Sequence, residues 1–418
     1  MTVTRWCLLI GGALAVSLAL SACSSAEPTP TATPTAHTPL APQLSYTPPA
    51  AQAVKIGVLV GPVQGDGSEF RPLAEGARIA TYRLNLGGSP IELVVELDDG
   101  TAAGAKAAME RLVQARVSGV LVTGRGDYLA DALQTAYRAD TAALLLYSPQ
   151  ESPHAWTLAP TAGMVSSQME ATLRELKASR PFVVTAPGYL LNIDGAHRAE
   201  VGDVQAIAHQ IKNAVDKREV DAVAIAAPAR QQAELVAAIQ AQLGASQLPL
   251  LLSPEATTPL FGDLVVSSGA TSGRLVAIGP DAGDAVALRP SVAGESAAAF
   301  FTSLRLAAGD ETCQNLYSDD TCAQTSLWAD ATSHDGVVVL ARAVEKAGSS
   351  DPQAVKTALA TLKLGPVDGL VGPELDLRRG NALADGQLTS LYASTSDPGM
   401  RPLTADGEPP LALFWFAD

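Results

Sequence analysis

Histidine is scarce in this 418-residue chain. Only His37, His154, His197, His209 and His334 occur, and none stands at metal-ligand spacing from another histidine or a cysteine. There is no G-x-S-x-G elbow, no H-E-x-x-H pair and no glycine-rich phosphate loop. Nucleophilic, zinc-hydrolytic and nucleotide chemistry therefore lack the residues that would carry them. Carboxylate pairs such as Asp319-Asp320 fit a polar loop and need no catalysis. The expectation is a protein with no metal and no cofactor that is not an enzyme. Positive charge is also short, with 28 Lys and Arg against 43 Asp and Glu and a formal net charge of −15. Such a surface argues against nucleic acid as a partner. Cysteine occurs four times, and no internal repeat or heptad is present.

What is present begins with a segment that reads as an export signal. Arg5 gives a basic start, and Cys7 to Leu20 run apolar or small. The run is too short and too close to the start for a comfortable membrane span. It ends in Leu20-Ser21-Ala22-Cys23, which resembles a bacterial lipobox. That resemblance implies cleavage before Cys23, acylation of its thiol with at least two chains (palmitate among them), and attachment to the extracytoplasmic face of the cell membrane. Residues 24–50 carry many prolines, almost no charge and no apolar period. They cannot bury enough surface to offset ordering the chain, so an extended, solvated tether is expected. With Cys7 in the signal and Cys23 lipidated, Cys313 and Cys322 remain, nine residues apart. Outside the cytoplasm such a pair reads most simply as a disulfide.

The body is long for one core and suggests two lobes. Val54–Val60 reads as a buried strand, Leu73–Leu86 as a helix stopped by Gly87-Gly88, and Ile91–Leu97 as a strand ending at Asp98-Asp99-Gly100. Helices over 102–115 and 128–138 then alternate with strands over 119–123 and 141–147. This order predicts a parallel sheet covered on both faces, with loops gathered on the edge where open α/β sheets bind ligands. A second unit starts near Pro160. It has helices over 163–178, 202–215 and 229–243, and strands over 181–185, 220–226 and 248–252. Further short strands are expected over 264–267 and 275–278. Late helices follow over 292–308, 334–347 and 351–362, the last with Asp351 as cap and Pro352 in its first turn. The stretch from Gly365 onward reads as a β-rich tail.

In four places the chain resembles the branched-chain amino-acid-binding (Leu/Ile/Val-type) family of ABC-transporter substrate-binding proteins. These are KIGVLVGPVQG (Lys55 to Gly65), EGARIATYRLNLGG (Glu75 to Gly88), IELVVELDDGTAAGAKAAMERLV (Ile91 to Val113) and the late helical pair from Ser333 to Leu362. The resemblance implies the α/β fold of a type 1 periplasmic binding protein: two open α/β lobes with a hinge made of several chain crossings. Residues 1–22 would be the signal and 23–50 the tether. Residues 51–160 with 280–362 would form the first lobe, and 161–279 with 363–418 the second. The ligand would be a small polar solute such as an amino acid, held in the cleft until hinge closure sequesters it. The partner would be the membrane permease of an ABC transporter.

The resemblance also directs attention to particular residues. Family members meet a ligand carboxylate with hydroxyls and backbone N–H groups after the third and fourth first-lobe strands. Here those loops hold Arg125, Asp127 and Tyr128, and Ser148 to Ser152. Asp127 would repel a carboxylate. Arg125 either compensates it or stays in solvent, and Asp127 either meets ligand or caps the following helix. Ser152 matches the second hydroxyl. Glu255, just past a second-lobe strand, matches the glutamate that family members present to an ammonium; its alternative is an exposed turn. The aromatic residue expected after the preceding strand is missing around Pro228-Ala229, and Phe70 or Tyr128 would supply the apolar wall. The stretch from Thr185 to Glu200 is short, as if one βα unit were lost, which would let Tyr189 or Asn192 enter the cleft. The competing function on the same fold is an envelope sensor or scaffold that binds a protein partner.

Overall fold

The computed structural model of the protein describes residues 41–49, 53–65, 67–195, 197–244, 248–271 and 273–417. The signal segment, Cys23 and the first part of the tether lie outside the described residues. All described residues fall in one compact unit, Leu40–Asp418.

The first lobe is built as the alternating runs dictate. Strand β1 (Val54–Val60) is followed by α1 (Glu75–Leu86), β2 (Ile91–Leu97), α2 (Ala102–Gln114), β3 (Gly119–Val122), α3 (Ala130–Arg138), β4 (Ala142–Leu145) and a short β5 (Trp156–Thr157). The strands form one parallel sheet in the order β2-β1-β3-β4-β5. Pairings such as Gly57↔Val94, Leu59↔Val122 and Val120↔Ala143 fix its register. β1, β3 and β4 are buried on both faces, which is why they read as near-continuous apolar runs rather than alternating ones.

The second lobe contains α4 (Ala162–Glu175), β6 (Pro181–Thr185), β7 (His197–Glu200), α5 (Val204–Asp216), β8 (Ala222–Ala226), α6 (Ala229–Leu243), β9 (Pro249–Leu252), α7 (Pro259–Ser267) and β10 (Arg274–Pro280). The chain then returns to the first lobe with α8 (Val292–Ala308), the short α9 (Cys322–Thr325), α10 (Ala331–Ala347) and α11 (Pro352–Leu359). It closes with β11 (Lys363–Leu364), β12 (Leu375–Asp376), β13 (Leu388–Ser394) and β14 (Phe414–Ala417). The last two strands add antiparallel to the second sheet, whose order is β14-β13-β10-β9-β8-β6-β7. The chain thus passes between lobes three times, after β5, after β10 and before β13. The first and third crossings are stitched together where Thr157 N–H donates to Gly380 O and Ala382 N–H to Thr157 O, both at 2.9 Å.

Four local expectations change. Residues 264–267 belong to α7 and not to a strand: Pro259 in the first turn pre-sets the helical φ, and a short apolar run alone does not distinguish helix from strand. The stretch after β6 has kept its strand and lost its helix, because β7 pairs in parallel with β6 while the described residues of the link between them contain no helix. Residues 363–376 lie against the first lobe rather than the second. There the Asp335 carboxylate of α10 accepts the N–H groups of Val371 and Gly372 at 2.8 Å, and β11 and β12 pair with each other rather than with the second sheet.

The fourth change concerns the end of the tether. Residues 42–47 dock on the first lobe instead of staying in solvent. Leu44 N–H donates to Arg83 O (3.0 Å), Arg83 Nε and Ser303 Oγ both donate to Pro42 O (2.9 Å), and Thr47 N–H donates to Glu345 (2.8 Å). Tyr46 is buried, with its backbone carbonyl accepting from Ser89 Oγ at 2.8 Å. The double glycine ending α1 serves this docking. Gly88 has φ +72, and a Cβ on Gly87 would fall 1.8 Å from Leu44 O. Arg83 also reaches the fully buried His334, whose other ring nitrogen lies 2.8 Å from Asp335. Burial holds the His334 pKa down, so the ring is the neutral link between a cation and a carboxylate.

On the outer side of α1, the sulfurs of Cys313 and Cys322 lie 2.00 Å apart and their Cα atoms 5.4 Å apart. The loop they close presents the Leu316 N–H to both oxygens of Glu75, at 3.1 and 3.2 Å. No helix among the described residues is long and apolar enough to cross a membrane.

Candidate functional site

A cavity of about 320 Å³ lies between the lobes. Its walls come from the loops at the carboxyl ends of the strands, where open α/β sheets bind ligands. The first lobe contributes Phe70, Arg125, Tyr147 and Thr332; the second contributes Tyr189, Ser253, Glu255 and Thr258.

Two charged side chains meet there. Arg125 follows β3 in the turn Gly124-Arg125-Gly126, where Gly126 has φ +121, a left-handed backbone that glycine takes without strain. Glu255 is the second residue of a 3-10 turn, Pro254–Thr257, that follows β9. Arg125 Nη1 donates to Glu255 Oε1, so the pair bridges the lobes with both side chains only 8% exposed. The guanidinium also lies 4.3 Å from the centroid of the Tyr189 ring, a cation–π contact that covers its face. Behind Glu255, Ser253 Oγ donates to Oε2, and Gln232 Nε2 donates to Ser253 Oγ at 2.9 Å and to Ala227 O at 2.8 Å. This relay fixes the carboxylate and satisfies it away from water.

A second contact joins the lobes beside this pair. The buried Glu69 carboxylate accepts the N–H of Ala229 at 3.4 Å, at the first residue of α6. An anion is stabilised there by the helix dipole and by N–H groups that have no partner within the helix.

The apolar wall is set by Phe70 stacked on Tyr147, with centroids 4.6 Å apart and planes 6° from parallel. Leu73, Leu146, Leu158 and Val165 continue it. Tyr147 Oη donates to Asp330 at 2.9 Å, and Asp330 caps α10 by accepting the Ser333 N–H at 2.9 Å. Burial, and then the neighbouring Asp330, push the Tyr147 pKa well up, so its phenol is a donor at all ordinary pH.

Of the residues anticipated in the sequence, Arg125, Glu255 and Phe70 come together at the cavity. Asp127, Tyr128 and Ser152 do not line it. Asp127 accepts from Gln150 Nε2 at 2.8 Å. It caps no helix, because it sits inside the 3-10 turn Asp127–Leu129 rather than before it. Tyr128 packs on the outer core of the first sheet, its hydroxyl 3.2 Å from Asp98. Ser152 Oγ accepts the His154 N–H at 3.1 Å within its own turn. Tyr189 does enter the cavity, whereas Asn192 does not line it: the residue is exposed, and its backbone N–H donates to Ser166 Oγ at 2.9 Å. Tyr147, Ser253, Gln232 and Asp330 were not anticipated. Asp330 was findable as a helix cap three residues before Ser333; Gln232 sits in a helical pattern that gives no sign of its inward turn. Among the described residues no group of three or more His, Cys, Asp or Glu side chains converges as metal ligands do.

The family model described as periplasmic binding protein matches residues 53–393. No curated protein matches the sequence. Among solved structures, one similar fold is a branched-chain amino acid transporter substrate-binding protein from Streptococcus pneumoniae in complex with isoleucine, with 17% identity and a TM-score of 0.60 over 88% of this chain and 100% of that one. A leucine-binding protein from Thermotoga maritima aligns at 18% identity and TM-score 0.57 over 87% and 98%. A Rhodopseudomonas palustris ABC-transporter solute-binding protein in complex with 4-hydroxybenzoate aligns at 16% identity and TM-score 0.61 over 88% and 96%. At these identities the likeness is one of fold.

Proposed function

The chain belongs to the periplasmic binding protein family, whose members bind solutes and are not enzymes, and on that premise we propose that it is the lipid-anchored, extracytoplasmic receptor of an ABC transporter, capturing an amino acid or a similar small polar solute. The observation that carries this reading is the interlobe cavity, with one charge of each sign supplied from opposite lobes. A zwitterion inserted between Arg125 and Glu255 replaces their mutual pairing with two new pairs, carboxylate to Arg125 and ammonium to Glu255. Both buried charges stay compensated, which a singly charged ligand cannot achieve. The apolar wall around Phe70 and Tyr147 suits an amino-acid side chain. The relatives that bind isoleucine and leucine support the same class. Anchoring through Cys23 and a disulfide between Cys313 and Cys322 complete the proposal, and the membrane permease is the partner that receives the solute.

The test is a thermal-shift screen of the protein against amino acids, small amides, polyamines, sugars and nucleosides. A ligand that binds only the folded state raises the apparent melting temperature by mass action. A shift with an amino acid that disappears in Glu255→Ala supports the reading. A folded protein that responds to none of these solutes would sink it and would favour a receptor for a protein partner.

A further inference from the structure

The interlobe cavity does not end at its first chamber. A second cavity of about 150 Å³ lies toward the hinge and shares six wall residues with the first: Leu73, Thr257, Thr258, Pro280, Asp330 and Thr332. Its far walls are aromatic, with Phe300, Phe301 and Trp328 from the first lobe and Phe414 and Trp415 from the second. Arg401 and Asp284 are closed on one another, and Asp330, the other charged side chain there, accepts from Tyr147 Oη and from the N–H and hydroxyl of Ser333. Arg401 donates to the Asp284 carboxylate at 2.8 to 3.1 Å and spends its remaining nitrogen on the carbonyls of Leu327 (2.7 Å) and Ala329 (2.9 Å), with Phe301 beneath it at 5.3 Å. An anionic ligand group entering this chamber would lose its hydration and find its one cation, Arg401, already paired, and a cationic group would meet only the Asp330 carboxylate, which already accepts from Tyr147 and Ser333, whereas an apolar group would leave water for aromatic walls.

We propose that the second chamber is a subsite for the ligand's side chain, and that the solute is an α-amino acid whose side chain is an extended aliphatic or aromatic one. The zwitterionic head lies at Arg125 and Glu255, and the tail passes Thr332 and Thr258 to reach Trp328 and Trp415. The proposal rests on the reading of the protein as a solute receptor and adds the length of the solute, since the hinge chamber is about half the volume of the first. It also makes the subsite sensitive to closure, because its walls come from both lobes.

Calorimetry on the full-length exported protein with 2-aminobutyrate, norvaline, norleucine, 2-aminooctanoate, leucine and phenylalanine tests it. Affinity is expected to rise roughly three- to fourfold per added methylene up to 2-aminooctanoate. Binding of 4-bromophenylalanine is expected to quench tryptophan emission through its heavy atom. That quenching, read at ligand concentrations that calorimetry shows to saturate each variant, is expected to fall in Trp328→Phe and Trp415→Phe, since Trp156 lines neither chamber. Affinity that peaks at leucine and declines for longer chains would overturn the subsite and leave the receptor reading intact. So would tight binding of 4-bromophenylalanine with unquenched Trp328 and Trp415. If no member of the series binds, leucine included, the receptor reading itself fails and the subsite with it.

Discussion

Arg125 of the first lobe and Glu255 of the second neutralise one another inside the cavity where the ligand is proposed to sit. Each charge is therefore buried with the other as a counter-charge. In a rigid core, removal of one partner from such a pair costs about 3–5 kcal/mol. Here the protein has a less costly response, because a hinge of three crossings lets the lobes part and returns the remaining charge to water.

Glu255→Gln is accordingly expected to open the protein rather than unfold it. Its radius of gyration in solution scattering should exceed that of the parent, while the urea midpoint moves little. Amino-acid affinity should fall at least about tenfold, as expected for a lost charge-assisted bond to an ammonium. The exchange Arg125→Glu with Glu255→Arg should recover much of the closed population. An unchanged radius in Glu255→Gln, with a large loss of stability, would show that the pair holds the fold and not the closure.

The docked end of the tether makes a separate prediction. Tyr46 is 5% exposed, and its hydroxyl is buried without a hydrogen-bond partner. Burial, and then the charge of Glu345, raise its pKa to about 12. Tyr46→Phe removes a buried polar group that has no partner and should be neutral or stabilising by up to about 1 kcal/mol. Tyr46→Ala leaves a cavity and should cost about 3 kcal/mol. A chain begun at residue 51 should show a loss comparable to that of Tyr46→Ala, whereas one begun at residue 41 should match the full body. Equal urea midpoints for the two truncations would mean that residues 42–47 contribute nothing to stability.

The proposed bond between Cys313 and Cys322 is checked by counting thiols in unreduced denaturant, where none is expected from this pair. Replacing both by serine should lower stability by about 2–3 kcal/mol, the scale for cross-linking a short loop. One thiol-reactive equivalent at each position in the unreduced protein would refute it.

How much of this was visible in the sequence depends on the range of the forces involved. Strands β1, β3 and β4 were legible because a strand covered on both faces is apolar almost throughout, as over 56–60. Helix α1 was legible from its period and its double glycine, although the second role of Gly87, clearance for the Leu44 carbonyl, could not be read without knowing what passes over it. Residues 42–47 read as tether because the whole segment 24–50 to which they belong is rich in proline and has no apolar period. Leu44 and Tyr46, two apolar side chains in that stretch, were enough to dock it. At the site, Arg125 and Glu255 were each legible as polar residues at the ends of strands. Their contact was not, since it joins positions 130 residues apart in different lobes. Gln232 and Tyr147 belong to the same class: their sequence surroundings fit ordinary packing, and only the fold turns them toward the cleft.

Glu75 gives the clearest dependence on pH. It lies at the start of α1, 1% exposed, and burial raises its pKa from the ordinary 4.5 to about 7, with the Leu316 N–H and Arg78 pulling the other way. In the unfolded chain the carboxyl ionises near its ordinary value. Between pH 4.5 and 7 the folded state therefore holds a proton that the unfolded state has released, and stability falls as pH rises through that window. Below it both states are protonated and above it both are ionised, so the contribution is flat outside. Across the whole window the loss of stability is roughly 3 kcal/mol. Glu75→Gln keeps an oxygen for the Leu316 N–H and removes the charge. It should therefore be more stable relative to the parent at pH 8 than at pH 5, as read from urea midpoints. A difference between variant and parent that is the same at both pH values would mean that Glu75 is ionised throughout, with Arg78 and the Leu316 N–H outweighing its burial.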